Sequence, residues 1–235
     1  MNLSLFTADG FLFVLRWLHF FFGILWIGHL YYFNLAQGPF MAMPETDAQT
    51  KSKVITGLLP KALWWFRWGA MFTFVTGWIY LLMRGHDLGA SFMATSWGIS
   101  ILTGALLGSL MWFNVWFVIW PKQQVVIKSA QQVAGGGQAI PEAAGCAARA
   151  LVVSRTNLLL SVPMLFFMAA SSHLAIPLSE TSSVGGYFAV FAVIALVVEI
   201  NALKGKMGPM TTIKGVIHSA FALAVVMYLA MEFML

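Results

Sequence analysis

Six stretches of the chain stay apolar over the roughly 20 residues needed to cross the hydrocarbon of a bilayer. They fall near residues 11–36, 60–83, 93–120, 157–177, 184–203 and 211–234, with polar or breaker-rich segments between them. Runs of this length and uniformity predict helices rather than strands, because a spanning segment must satisfy its backbone groups internally. The expected fold is all-α: a polytopic membrane bundle of about six transmembrane helices forming a single domain over 1–235. The one long connection, 121–156, contains Gly135, Gly136 and Gly137 and is expected as a loop on the cytoplasmic side, with a short interfacial helix in its alanine-rich second half.

The pattern also predicts helix contacts. Gly69, Thr73 and Gly77 recur every fourth residue on the second helix, and Ser100, Gly104 and Gly108 do so on the third. Small residues at that spacing let two backbones approach closely. Pro163 is expected to kink the fourth helix, since it removes a hydrogen bond and crowds the carbonyl four residues back.

Composition agrees with a lipid environment. Of the 235 residues 60% are hydrophobic and 9% charged, against about a quarter charged in a soluble domain. The net charge of +5 does not point to nucleic acid, because the cations cluster in and beside the short connections. Lys51, Lys53, Lys61, Lys122, Lys128, Arg149, Arg155, Lys204, Lys206 and Lys214 flank the connections after helices one, three and five, whereas the opposite side has Arg84. The positive-inside rule then places both termini outside, periplasmic in a bacterial inner membrane. The first apolar run carries Arg16 and His19 and lacks a small-x-small cleavage site, so it is expected to be a retained helix. With Cys146 as the single cysteine and no CxxCH, the chain has no internal disulfide and no covalent c-type haem.

Polar residues inside hydrocarbon are costly, which makes them the informative ones. Here they are Arg16, His19, His29, Arg67, His173, Glu199 and His218. At about 1.5 Å per residue, His19 and His173 fall in the outer half of the membrane and His29 and His218 in the inner half. Two imidazoles on different helices at one depth are what a b-type haem requires for its axial positions. One or two haems b are therefore expected, with His19 and His173 ligating the outer one and His218 with His29 an inner one. About 1000° of helical turn separates His29 from His19, which puts the two some 80° apart on their helix. Arg16, one turn toward the surface from His19, suits an outer haem propionate; Arg67 suits an inner one, or an ion pair with Glu199. His86, beside Asp87, reads as a solvated histidine.

Four strings carry a family resemblance: RWLHFFFGILWIGHLYYFN, FRWGAMFTFVTGW, MWFNVWFVIWPKQ and SRTNLLLSVPMLFFMAASSH. They resemble the membrane domain at the N-terminus of bacterial membrane-bound urate oxidases (urate hydroxylases), over about the first 175 residues. The resemblance implies an integral membrane module that works with a c-type cytochrome, commonly fused after it on the outer face. It carries over onto Arg16, His19, Asn114, Trp116, Pro121, Arg155, Asn157 and His173. The missing CxxCH matches a short form without the fused cytochrome, whose redox partner is then a separate protein.

Three functions follow as expectations. The first is a haem b electron-transfer subunit working with a c-type cytochrome or other redox subunits, within a homo- or hetero-oligomer. The second is a cofactor-free structural subunit whose histidines bond between helices. The third is an oxidase of urate or a similar small substrate, with Arg67, Asn114 and Asn157 lining its pocket near the inner face. A transporter is disfavoured by the lack of an internal repeat or of paired broken helices.

Overall fold

The computed structural model describes residues 3–235, the side chain of residue 90 excepted, and these residues are 87% helical with no strand. Six long helices run up and down: α1 (Ala8–Ala42), α2 (Leu59–Leu88), α3 (Ser96–Ala134), α4 (Ala143–His173), α5 (Val184–Lys204) and α6 (Ile213–Met234). All but α2 are long and apolar enough to cross a membrane. In α2, four tryptophans, three glycines and Arg67 dilute the apolar run.

Side-chain contacts fix the directions. His19 meets Thr73 while Trp26 lies against Gly69, so α1 and α2 are antiparallel. Gly104 faces Met168 and Asn114 bonds Asn157, so α3 and α4 are antiparallel as well. Thr103 pairs with Tyr187 and Asn114 with Glu199, which makes α3 and α5 parallel. Both ends of the chain therefore lie at one end of the bundle, together with 89–95 and 174–183. The other end collects 43–58, 135–142 and 205–212, and with them most of the cations.

The small-residue stripes seat these contacts. A Cβ at Gly69 would come within 3.0 Å of the Trp26 amide nitrogen, and one at Gly104 within 3.2 Å of the Met168 amide nitrogen. Here backbone meets backbone, as the four-residue spacing predicts.

The 121–156 connection differs from expectation. Residues 120–134 continue α3 as Trp120–Ala134, and α4 already starts at Ala143, so the loop shrinks to 135–142. Pro121 does not end the helix because a π turn, Asn114–Ile119, immediately precedes it. The wider turn takes up the extra residue and accommodates a ring that would otherwise crowd the carbonyl one turn back. The same device recurs twice: Tyr32–Gln37 precedes Pro39 in α1, and Val54–Leu58 precedes Pro60 at the start of α2. The three π turns all sit toward the cation-rich end.

Helices α1, α3 and α6 begin alike. A 3₁₀ turn leads into a threonine, Thr7, Thr95 or Thr212, whose hydroxyl oxygen accepts from the amide of a glycine three residues on. These glycines, Gly10, Gly98 and Gly215, leave no room for a Cβ, because a carbonyl of the preceding turn (Ser4, Phe92 or Pro209) closes over each.

Candidate functional site

The seam between α1 and α2 holds His19 in a fixed orientation. His19 Nδ1 lies 2.9 Å from the Thr73 carbonyl oxygen. A carbonyl only accepts, so Nδ1 carries the proton and Nε2 keeps its lone pair. Gly77 makes this placement possible: a Cβ there would meet the His19 Cε1 at 2.7 Å. One turn nearer the terminus-bearing end, the Arg16 guanidinium donates to the Tyr80 hydroxyl and lies 4.9 Å from the centre of the Tyr80 ring. Arg16 itself remains exposed, so its other N–H groups are open to an anion. Expected from sequence, His19 and Arg16 thus share one helix seam; Thr73 and Gly77, legible only as part of a packing stripe, complete it together with Tyr80, which the sequence did not single out.

The other histidines are placed differently. His173 ends α4 and is exposed at the terminus-bearing end, and His218 is exposed on α6. His29 returns Nδ1 to its own helix, 2.6 Å from the Leu25 carbonyl oxygen. It lines a cavity of about 560 Å³ between α1 and the start of α2, with Lys61, Tyr32 and Trp65 also in the wall. Tyr31, two residues on and so about 200° round the helix, faces the opposite way, where it bonds Ser161 of α4 and packs near Val216 of α6. The structure therefore turns His29 toward α2 and away from the helix that carries His218. His19 likewise faces α2, while α1 reaches α4 through Tyr31 and through Asn34, which donates to Ser154 at 2.8 Å. His86 is 92% exposed over its side chain, as expected of a solvated residue.

A buried polar knot joins α3, α4 and α5. Asn114 Nδ2 donates to Asn157 Oδ1 and to Glu199 Oε2, each at 3.0 Å, and Asn157 Nδ2 donates to the Met111 carbonyl at 3.0 Å. Both asparagines are fully buried. The expected Arg67–Glu199 ion pair is absent among the described residues. Arg67 instead stacks its guanidinium 3.8 Å from the Trp120 ring centre and 5.1 Å from that of Trp116. Trp116 and Asn114 stand two residues apart on α3 and face different neighbours, so α3 separates Arg67 from Glu199. For the same reason Arg67, Asn114 and Asn157 do not line a common pocket: the two asparagines bond each other, and Arg67 lies in an aromatic cage on the α2 side. Arg155 is buried in α4 with Nε and Nη1 unpaired among the described residues. No group of three or more His, Cys, Asp or Glu side chains converges on a metal position among the described residues.

The family model described as urate oxidase N-terminal matches residues 88–231. The match starts after the strings of α1 and α2 and runs through α5 and α6, so the resemblance extends further toward the C-terminus than the quoted strings do. It includes Asn114, Asn157, His173, Glu199 and His218. No curated protein and no solved structure is a match.

Proposed function

The chain belongs to the urate oxidase N-terminal family, and we propose that within it this multi-pass membrane protein acts as an electron-transfer subunit that binds a b haem at the terminus-bearing end of the α1–α2 seam. The observation that carries this reading is the state of His19. Its Nδ1–H is held by the Thr73 carbonyl, which fixes the ring and raises the basicity of Nε2. That is the preparation a metal-ligating imidazole shows. In this respect the residues fit a haem: His19 offers one axial nitrogen, Arg16 a cation for a propionate, and His173, exposed at the same end, is the candidate for the second axial position. When bound, the haem supplies one-electron chemistry; the protein sets its orientation and surroundings.

The reading places six spans across a bacterial inner membrane, α2 among them, with the terminus-bearing end outside. A c-type cytochrome or another redox subunit would meet the protein at that end. Of the two expected haems the proposal keeps the outer one, because a ring fixed by a carbonyl and a cation one turn away share its seam, whereas His29 and His218 face different neighbours.

The exposure of His173 and His218, and the return of His29 to its own helix, favour a second reading. Here the chain is a cofactor-free structural subunit whose apolar faces, including Phe13, Trp17, Phe20 and Ile24 on α1, meet lipid or partners. A reduced-minus-oxidised visible spectrum of the purified chain separates the two. Haem binding predicts a b-type band that His19→Ala abolishes and His173→Ala abolishes or shifts. A colourless protein supports the structural reading. Oxidation of urate by the chain itself is checked by adding urate to membranes with and without it and following cytochrome reduction.

A further inference from the structure

Glu199 is the one acidic side chain buried within the bundle among the described residues, at 9% exposure. Among the described residues its only hydrogen bond comes from a neutral amide, Asn114 Nδ2, to Oε2. Oε1 is buried with no partner, and so is the neighbouring acceptor, Asn114 Oδ1. An amide flip does not repair this, because Nδ2 of Asn114 already serves both Asn157 and Glu199.

Among the described residues no cation answers the carboxylate. Arg149 of α4 donates Nη1 to the carbonyls of Ala202 and Gly205, at 2.9 and 3.0 Å, and so closes the end of α5. Arg155 of α4 makes no ion pair, and Arg67 lies beyond α3 under Trp120. Lys204 on α5 is exposed, as are Lys214, His218 and Glu232 on α6. α3 offers Asn114 and no charge before Lys122. An unpaired carboxylate in such a place carries a desolvation cost of several kcal/mol. A proton removes that charge and turns one of two orphan acceptors into a donor.

We propose that Glu199, Asn114 and Asn157 form an intramembrane proton-binding site, in which Glu199 is a neutral carboxylic acid at pH 7 and exchanges its proton with water at the cation-rich end. Five residues, little more than one helical turn, separate Glu199 from Lys204 at that end of α5. The site does not depend on haem: it rests on a different set of helices from His19.

Infrared difference spectra of the full chain in lipid nanodiscs test this, comparing wild type with Glu199→Gln at pH 7. The expected result is a protonated-carboxyl carbonyl stretch in wild type that shifts in D₂O and is lost in E199Q, with the visible spectrum of the variant unchanged. Carboxylate bands in place of that stretch overturn the proposal. So does loss of the stretch on adding sodium or potassium chloride at neutral pH, which assigns the two oxygens to a metal cation. A bilayer-soluble carbodiimide gives a check that needs no variant. It adds to protonated carboxyls and leaves a stable N-acylurea. An adduct mapped to Glu199 supports the site, whereas adducts confined to other carboxyls contradict it.

Discussion

Gly77 does for His19 what no larger residue can. Its missing Cβ leaves the space into which the imidazole edge fits, and the Thr73 carbonyl one turn away fixes the ring. Gly77→Ala is therefore expected to push the imidazole off its carbonyl, at a cost of about 1–3 kcal/mol for overpacking. The readout is a lower thermal midpoint together with loss of the b-type band. Asn157→Ala acts on the other node: it removes the side-chain hydrogen bonds to the Met111 carbonyl and from Asn114 Nδ2. Each lost hydrogen bond is worth about 0.5–1.5 kcal/mol, so the variant should unfold at lower denaturant or temperature than wild type; Asn157→Asp should do no better, since it loses the donor to Met111 and adds a second carboxylate beside Glu199. Sequence made His19, Arg16, Arg67 and Glu199 visible, because a polar residue in an apolar run stands out, while Asn114 and Asn157 came with the family resemblance. It did not show which neighbour each one faces. Arg67 and Glu199 looked like partners by depth and sign, yet depth carries no information about the helix lying between them.

At the scale of elements, the chain repeats two devices. Three of the four prolines within a continuing helical path, Pro39, Pro60 and Pro121, are preceded by a π turn, Pro163 of α4 being the exception, and each of three helices opens on a threonine cap followed by a glycine. The caps offer a clean test. Thr95→Ala removes the oxygen that accepts from the Gly98 amide at 2.9 Å, and should cost about 1 kcal/mol of stability. Gly98→Ala should cost more, since its Cβ would meet the Phe92 carbonyl. The capping threonines were legible in principle from the Thr-x-x-Gly spacing. The π turns were not: the third span was expected to end near 120, just before Pro121, and nothing in a local pattern says that a helix will widen to pass a proline. That is why 121–134 was expected as loop and folds as the continuation of α3.

The whole molecule was the most legible level, because hydrocarbon thickness sets span length. Five of the six apolar stretches return as helices that meet the requirements of a span, and the sixth, α2, as a helix of 30 residues. Both chain ends share one end of the bundle, as the alternation of spans requires. The outward placement of that end is testable with the native cysteine. Cys146 lies in the first turn of α4 at the cation-rich end and is partly accessible. A membrane-impermeant maleimide should modify it in inverted vesicles and leave it untouched in right-side-out ones; the reverse pattern would invert the topology. The functional centre was less legible, since an imidazole pair needs facing directions as well as equal depth, and α1 turns His19 toward α2. The haem content of the purified chain, determined as the pyridine haemochrome, addresses that centre most directly. The account predicts one haem b per chain in the wild type and none in a folded His19→Ala variant. Haem retained in that variant, or a folded wild-type chain without haem, contradicts it.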